Sequence, residues 1–143
     1  MKNIITLQNN SGLLLPRREF FNLWAMRALF KKEGKITLRF VNQEESAQMN
    51  HTFRGKNNPT NVLSFPYENT YKKVLGDLLF CPSIVEQQAQ EQNKTLCAHY
   101  AHLTIHGVLH LQGFDHENPN DALQMESTEI AILKKLGFAN PYV

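Results

Sequence analysis

Residues 36–50 read Ile-Thr-Leu-Arg-Phe-Val-Asn-Gln-Glu-Glu-Ser-Ala-Gln-Met-Asn, and the period of the apolar positions changes inside this stretch. Ile36, Leu38 and Phe40 alternate with Thr37 and Arg39, as a half-buried strand requires. Asn42 then stands three residues before Glu45, an arrangement in which the Asn side chain caps a helix running to about Asn50. Upstream, Ile4 to Leu7 reads as a short strand. Pro16 sits where a first helical turn tolerates it, and Phe20, Leu23, Trp24 and Arg27 to Phe30 continue a helix that stops near Gly34. Downstream, the polar loop Arg54 to Thr60 leads into a strand through Val62, Leu63 and Phe65 that ends at Pro66. A second strand over about Val74 to Cys81 pairs with it as a hairpin. Three helices follow: Ser83 to about Gln92, Thr95 to Gln112 closed by Gly113, and Asp121 to Leu136 closed by Gly137. The expected fold is α+β, with one mixed four-stranded sheet, mostly parallel with an antiparallel hairpin strand, packed with about five helices.

No repeat, low-complexity tract or linker divides the 143 residues, so residues 1–143 are expected to form one domain, and 42% hydrophobic content suffices for one core. The N-terminus lacks a signal-like apolar run, and no window approaches the roughly 18 apolar residues of a membrane span. The expected location is cytoplasmic, without a membrane partner. Cys81 and Cys97 lack CxxC spacing and read as two reduced thiols. Net charge is only +2, yet residues 1–73 carry twelve Lys/Arg against five Asp/Glu, while residues 74–143 carry three against eight. A basic half beside a half rich in His and acidic residues suits a polyanion held near a metal centre, although solvated faces would give the same pattern.

The chemistry-bearing segment is His106-Gly107-Val108-Leu109-His110-Leu111-Gln112-Gly113-Phe114-Asp115-His116. On a helix, His106 and His110 lie one turn apart on one face. Gly113 can take the left-handed conformation that ends the helix and returns His116 toward them. This HxxxHxxGxxH spacing is that of the metzincin zinc peptidases, which present three nitrogen ligands and keep a fourth position open. Those peptidases carry a Glu base directly after the first His, where this chain has Gly107. His102, one turn before His106, can line the same site as a proton carrier or serve structurally. His99 reads as structural and His51 as unassigned. Asp115, beside a ligand, is a candidate to hydrogen-bond a histidine ring and fix its tautomer.

Two blocks together, His102 to His116 and Met49-Asn50-His51-Thr52-Phe53-Arg54-Gly55-Lys56-Asn57-Asn58-Pro59-Thr60-Asn61-Val62-Leu63-Ser64-Phe65-Pro66, resemble the YbeY family of endoribonucleases involved in ribosomal RNA maturation. Smaller echoes are Leu75-Gly76-Asp77 and Met125-Glu126. The resemblance implies a single-strand-selective, metal-dependent RNA cut. It also implies one zinc ion, or nickel or another divalent metal, on His106, His110 and His116, and a functional arginine at Arg54. Arg54 and Lys56 are then the expected contacts to RNA phosphate, Arg54 and His102 the candidate catalytic residues, and ribosomal RNA, the ribosome or its proteins the expected partners. The chain departs from the commoner family pattern at Phe53, where Tyr is frequent, and at Asn57, where Asp is frequent. Two other readings remain open: a peptidase or amide hydrolase on the same metal scaffold, and an RNA- or ribosome-binding factor with a structural metal.

Overall fold

The structure is a computed structural model describing residues 3–67 and 73–143. Its elements run β1 (Ile4–Asn9), α1 (Arg18–Ala28), β2 (Glu33–Phe40), α2 (Gln43–Arg54), β3 (Val62–Pro66), β4 (Lys73–Phe80), α3 (Pro82–Glu91), α4 (Leu96–Leu111) and α5 (Pro119–Lys135). The four strands form one sheet in the order β1-β2-β4-β3. β1 and β4 both run parallel to β2, and β3 pairs antiparallel with β4 as the hairpin partner, Val62 opposite Phe80. This is the α+β arrangement of one mixed four-stranded sheet and five helices expected from the order of sequence periods.

Alternation along the strands sorts the core into two layers, because neighbouring side chains point to opposite faces of a sheet. Leu78 and Phe80 of β4 join Phe21, Trp24, Phe40 and Tyr100 in the main core beneath α1 and α4. Leu79, between them, turns to the other face and packs with Val41 and Leu63 against Met49 of α2. Phe21 is the hub of the main core, meeting Trp24, Phe40, Phe80 and Tyr100 with ring centroids 5.2 to 6.4 Å apart in edge-on geometry. Such contacts add to the gain from burying the rings themselves.

The bounds of three helices differ from those read in the sequence by two residues or more. α1 begins at Arg18, after Pro16, and ends at Ala28, since Phe30 and Lys31 take positive φ values of 51° and 67° and turn the chain into β2, which already contains Gly34. α2 continues past Asn50 to Arg54, where Gly55 closes it at φ 68°. α5 starts at Pro119, two residues before Asp121, because the Asn118 side chain caps it by accepting the Asp121 amide at 2.9 Å. The second correction matters for function: Arg54 is the last residue of a helix and not part of the loop that follows.

Candidate metal centre

The site is built at the end of α4. Thr95 caps the start of this helix by accepting the Ala98 amide at 3.0 Å, and from there 16 residues run to Leu111. The inner side of α4 is buried along Tyr100, Ala101, Leu103, Thr104, Ile105, Val108 and Leu109, whereas His102, His106 and His110 are each half-buried along one edge. Gly107 packs closely against the sheet. A Cβ there would lie 2.8 Å from Cδ2 of Leu78, which is fully buried. The residue that sequence reading noted as lacking a carboxylate is therefore a packing glycine.

Gly113 takes φ 95°, and its amide bonds the His110 carbonyl at 3.0 Å while Phe114 bonds back to Leu109 at 3.1 Å. This closure returns His116 to the helix. The three imidazoles converge, with ring centroids 4.7 Å apart for His106 and His110, 5.1 Å for His110 and His116, and 5.6 Å for His106 and His116. Each offers one nitrogen within 4.8 Å of the others. Burial first, and then the neighbouring His106 and His116, push the His110 pKa down to about 4, so its ring is neutral near pH 7. Neutral imidazoles are the form that binds a divalent ion, and three of them around one point fit a zinc-type ion.

Behind the three lies a carboxylate that sequence reading missed. Glu129 of α5 is fully buried and accepts from His102 Nε2 at 2.7 Å, from His106 Nδ1 at 2.8 Å and from the Tyr142 hydroxyl at 2.5 Å. Burial alone would raise its pKa, but donation from His102, His106 and Tyr142 outweighs this and holds the carboxyl down at about 2. The Tyr142 phenol is raised above its ordinary range by burial and by the adjacent Glu129, so it remains a donor. A signal for Glu129 was present in the sequence, since it falls on the buried stripe of α5 with Met125, Ile132 and Leu133. An acid on such a stripe needs partners. Tyr142, beyond the last helix, carried no comparable signal.

Asp115 uses Oδ1 to accept the amide of His116 at 2.7 Å, bracing the loop that carries this ligand candidate. The histidines face a cavity of about 720 Å³ whose wall includes Phe53, Arg54, Asp115 and Tyr142. Arg54 and Phe53 reach this wall from the end of α2, both exposed. Lys56 is exposed beyond Gly55 and lies outside the lining. His102 lines the cavity with Nε2 engaged by Glu129 and Nδ1 buried without a partner. His51 is exposed on α2.

His99 is buried and structural, its Nε2 donating to Gln88 Oε1 at 2.9 Å. Burial first, then Lys94 and His102, push its pKa down to about 4. The unfolded chain takes up protons on His99 and His110 below pH 6.5 that the folded chain refuses until about pH 4. Stability of the metal-free protein should therefore be complete above about pH 6.5 and fall as the pH drops toward 4. Urea unfolding at a series of pH values checks this, and a midpoint unchanged across that window would contradict it.

The comparisons with known proteins agree with this architecture. The family model described as Endoribonuclease YbeY matches residues 16–137. A relative named Endoribonuclease YbeY from Methylococcus capsulatus is 49% identical over 141 residues, covering 96% of this chain and 94% of the relative. Another of the same name from Colwellia psychrerythraea is 51% identical over 138 residues, covering 90% and 89%. A solution structure of a protein from Thermotoga maritima superposes with a TM-score of 0.59 at 25% identity, covering 94% of this chain and 92% of that one. With a family model that spans residues 16–137 and two relatives about half identical over most of their length, the chain belongs to the YbeY family of endoribonucleases.

Proposed function

We propose that this protein is a metal-dependent endoribonuclease that cuts single-stranded RNA in ribosomal RNA maturation, holding one zinc-type ion through His106, His110 and His116. The observation that carries this reading is the shared cavity, lined by an exposed arginine and by three converging imidazoles. Family membership supplies the RNA substrate class. A bound zinc-type ion would contribute Lewis acidity, neutralising charge on a phosphoryl oxygen or making water more acidic. Three imidazoles also suit nickel or another divalent ion.

The other roles belong to the chain's own side chains. Arg54 presents a planar, permanently charged fork that can hold two phosphate oxygens as negative charge grows on them. Lys56, two residues on, adds positive charge to the approach. Phe53, 60% exposed at the rim, offers a ring face to an unpaired base, which a duplex would not present. His102 is the candidate for moving a proton, with Asp115 bracing the loop of His116. Ribosomal RNA and the ribosome or its proteins are the proposed partners, and the cytoplasm the proposed compartment. Among the described residues, no helix is long and apolar enough to cross a membrane.

The peptidase reading is disfavoured by packing. A glutamate at position 107 would place its Cβ 2.8 Å from a buried Leu78 methyl, so a metzincin base could be fitted there only by displacing Leu78. The purified protein is expected to cut single-stranded RNA, to leave duplex RNA and a peptide library intact, and to stop on chelation. RNA bound without turnover under any divalent metal from magnesium to nickel would instead support a binding factor. RNA affinity should also weaken as salt rises, because Lys and Arg contacts to phosphate release counterions. Affinity independent of salt would remove the basic half from the RNA surface.

A further inference from the structure

We infer that Glu129 is a positioning residue that sets which nitrogen of His106 is free to bind metal, and that His102 and Tyr142 serve to hold this carboxylate in place. A neutral imidazole has one N–H and one lone pair, and the hydrogen bond made by one nitrogen decides which is which. Glu129 accepts at His106 Nδ1, at 2.8 Å. The proton therefore sits on Nδ1, and the lone pair is left on Nε2, the only other nitrogen the ring can offer to an ion shared with His110 and His116. Without the carboxylate, the Nε2–H tautomer would turn the lone pair toward α5.

His102, His106 and Glu129 also lie close enough to one another to be read as a second metal group. The distances argue for hydrogen bonds instead. Glu129 lies 2.7 and 2.8 Å from the two histidine nitrogens, the length of a charge-assisted hydrogen bond. Ligands around one tetrahedral zinc at about 2.0–2.1 Å would sit about 3.3 Å apart. In addition, Oε1 already accepts from the Tyr142 hydroxyl, and that hydroxyl lies 3.1 Å from His102 Nε2.

Three donors thus converge on one fully buried carboxylate, and two of them come from residues outside the His106, His110 and His116 group. Their arrangement restrains Glu129 in rotation, so that its other oxygen addresses the His106 ring. Tyr142 brings the end of the chain into this brace, its approach fixed by Lys94, which donates to the Pro141 carbonyl at 3.2 Å. Carboxylates behind a ligating histidine commonly orient the ring and raise its basicity, and removing them typically weakens metal binding about 10- to 100-fold.

The inference rests on the three-histidine metal reading and is independent of the RNA substrate, so the test uses zinc alone. Long-range nitrogen–proton correlation spectra of the metal-free wild type should show His106 as the Nδ1–H tautomer. An Nε2–H tautomer there overturns the proposal without any variant. In Glu129→Gln, His106 should become a mixture of tautomers, and zinc affinity measured by chelator competition should fall about 10- to 100-fold. Tyr142→Phe, which removes one donor and keeps the ring, should fold normally and lose less affinity than Glu129→Gln. An unshifted tautomer in folded Glu129→Gln, or a zinc affinity within about twofold of wild type, overturns the proposal. Should the wild type cut no RNA, the proposed function fails while these spectra still decide the role of Glu129.

Discussion

Replacing His110 with alanine is expected to strip the protein of its metal and its nuclease activity together. His110 is the middle member of the three, with ring centroids 4.7 Å from His106 and 5.1 Å from His116. Its removal leaves two imidazoles, of which one is on a loop. Two such ligands rarely hold a divalent ion firmly, and the Lewis acidity they would lose is worth several kcal/mol, or on the order of 10³-fold in rate. The fold should survive, because alanine is the best helix former and His110 lies near the last turn of α4, facing the cavity. Metal per chain by elemental analysis and cleavage of a single-stranded RNA, read on one sample, check both parts. A stoichiometric ion retained by His110→Ala would mean that the ligands are wrongly assigned.

Arg54→Ala separates metal binding from phosphate binding. Arg54 lines the cavity from the end of α2 and is not one of the three converging histidines, so the metal content should remain at the wild-type level. A donor poised at developing transition-state charge is typically worth about 10²- to 10³-fold in rate. We expect kcat/KM for single-stranded RNA to fall by about that much. Arg54→Lys should recover only part of it, since an ammonium keeps the charge but lacks the bidentate fork. Because Arg54 is exposed, thermal stability should change little. Cleavage within a few-fold of wild type would remove Arg54 from the machinery.

How far the sequence could be read follows from the range of the interactions involved. The cap of α2 was legible because Asn42 and Glu45 are three residues apart, and in the structure Asn42 Oδ1 accepts the Glu45 amide at 2.9 Å. The histidine spacing was legible for the same reason, since one helical turn and one glycine reversal are local geometry. The end of α2 was not, because His51 to Arg54 are all exposed and carry no apolar period, so only the left-handed Gly55 marks the stop.

The stripe of α5 marked Glu129 as an acid in need of partners, but which partners was out of reach, because they lie 23 and 27 residues upstream and 13 downstream. Gly107 was legible as an absence but not as a contact. What excludes a side chain there is Leu78, on a strand that no local pattern connects to it. The sequence therefore showed which residues converge within one stretch of helix and loop, while the fold supplied the groups that orient them.

In the proposed site, three imidazole nitrogens, from His106, His110 and His116, meet on one cation. X-ray absorption at the zinc edge of the zinc-loaded protein tests it most directly. Three imidazole nitrogens at about 2.0–2.1 Å, completed by oxygen and without sulfur, is the expected spectrum. A sulfur shell at about 2.3 Å, or fewer than three imidazoles per zinc, would contradict it.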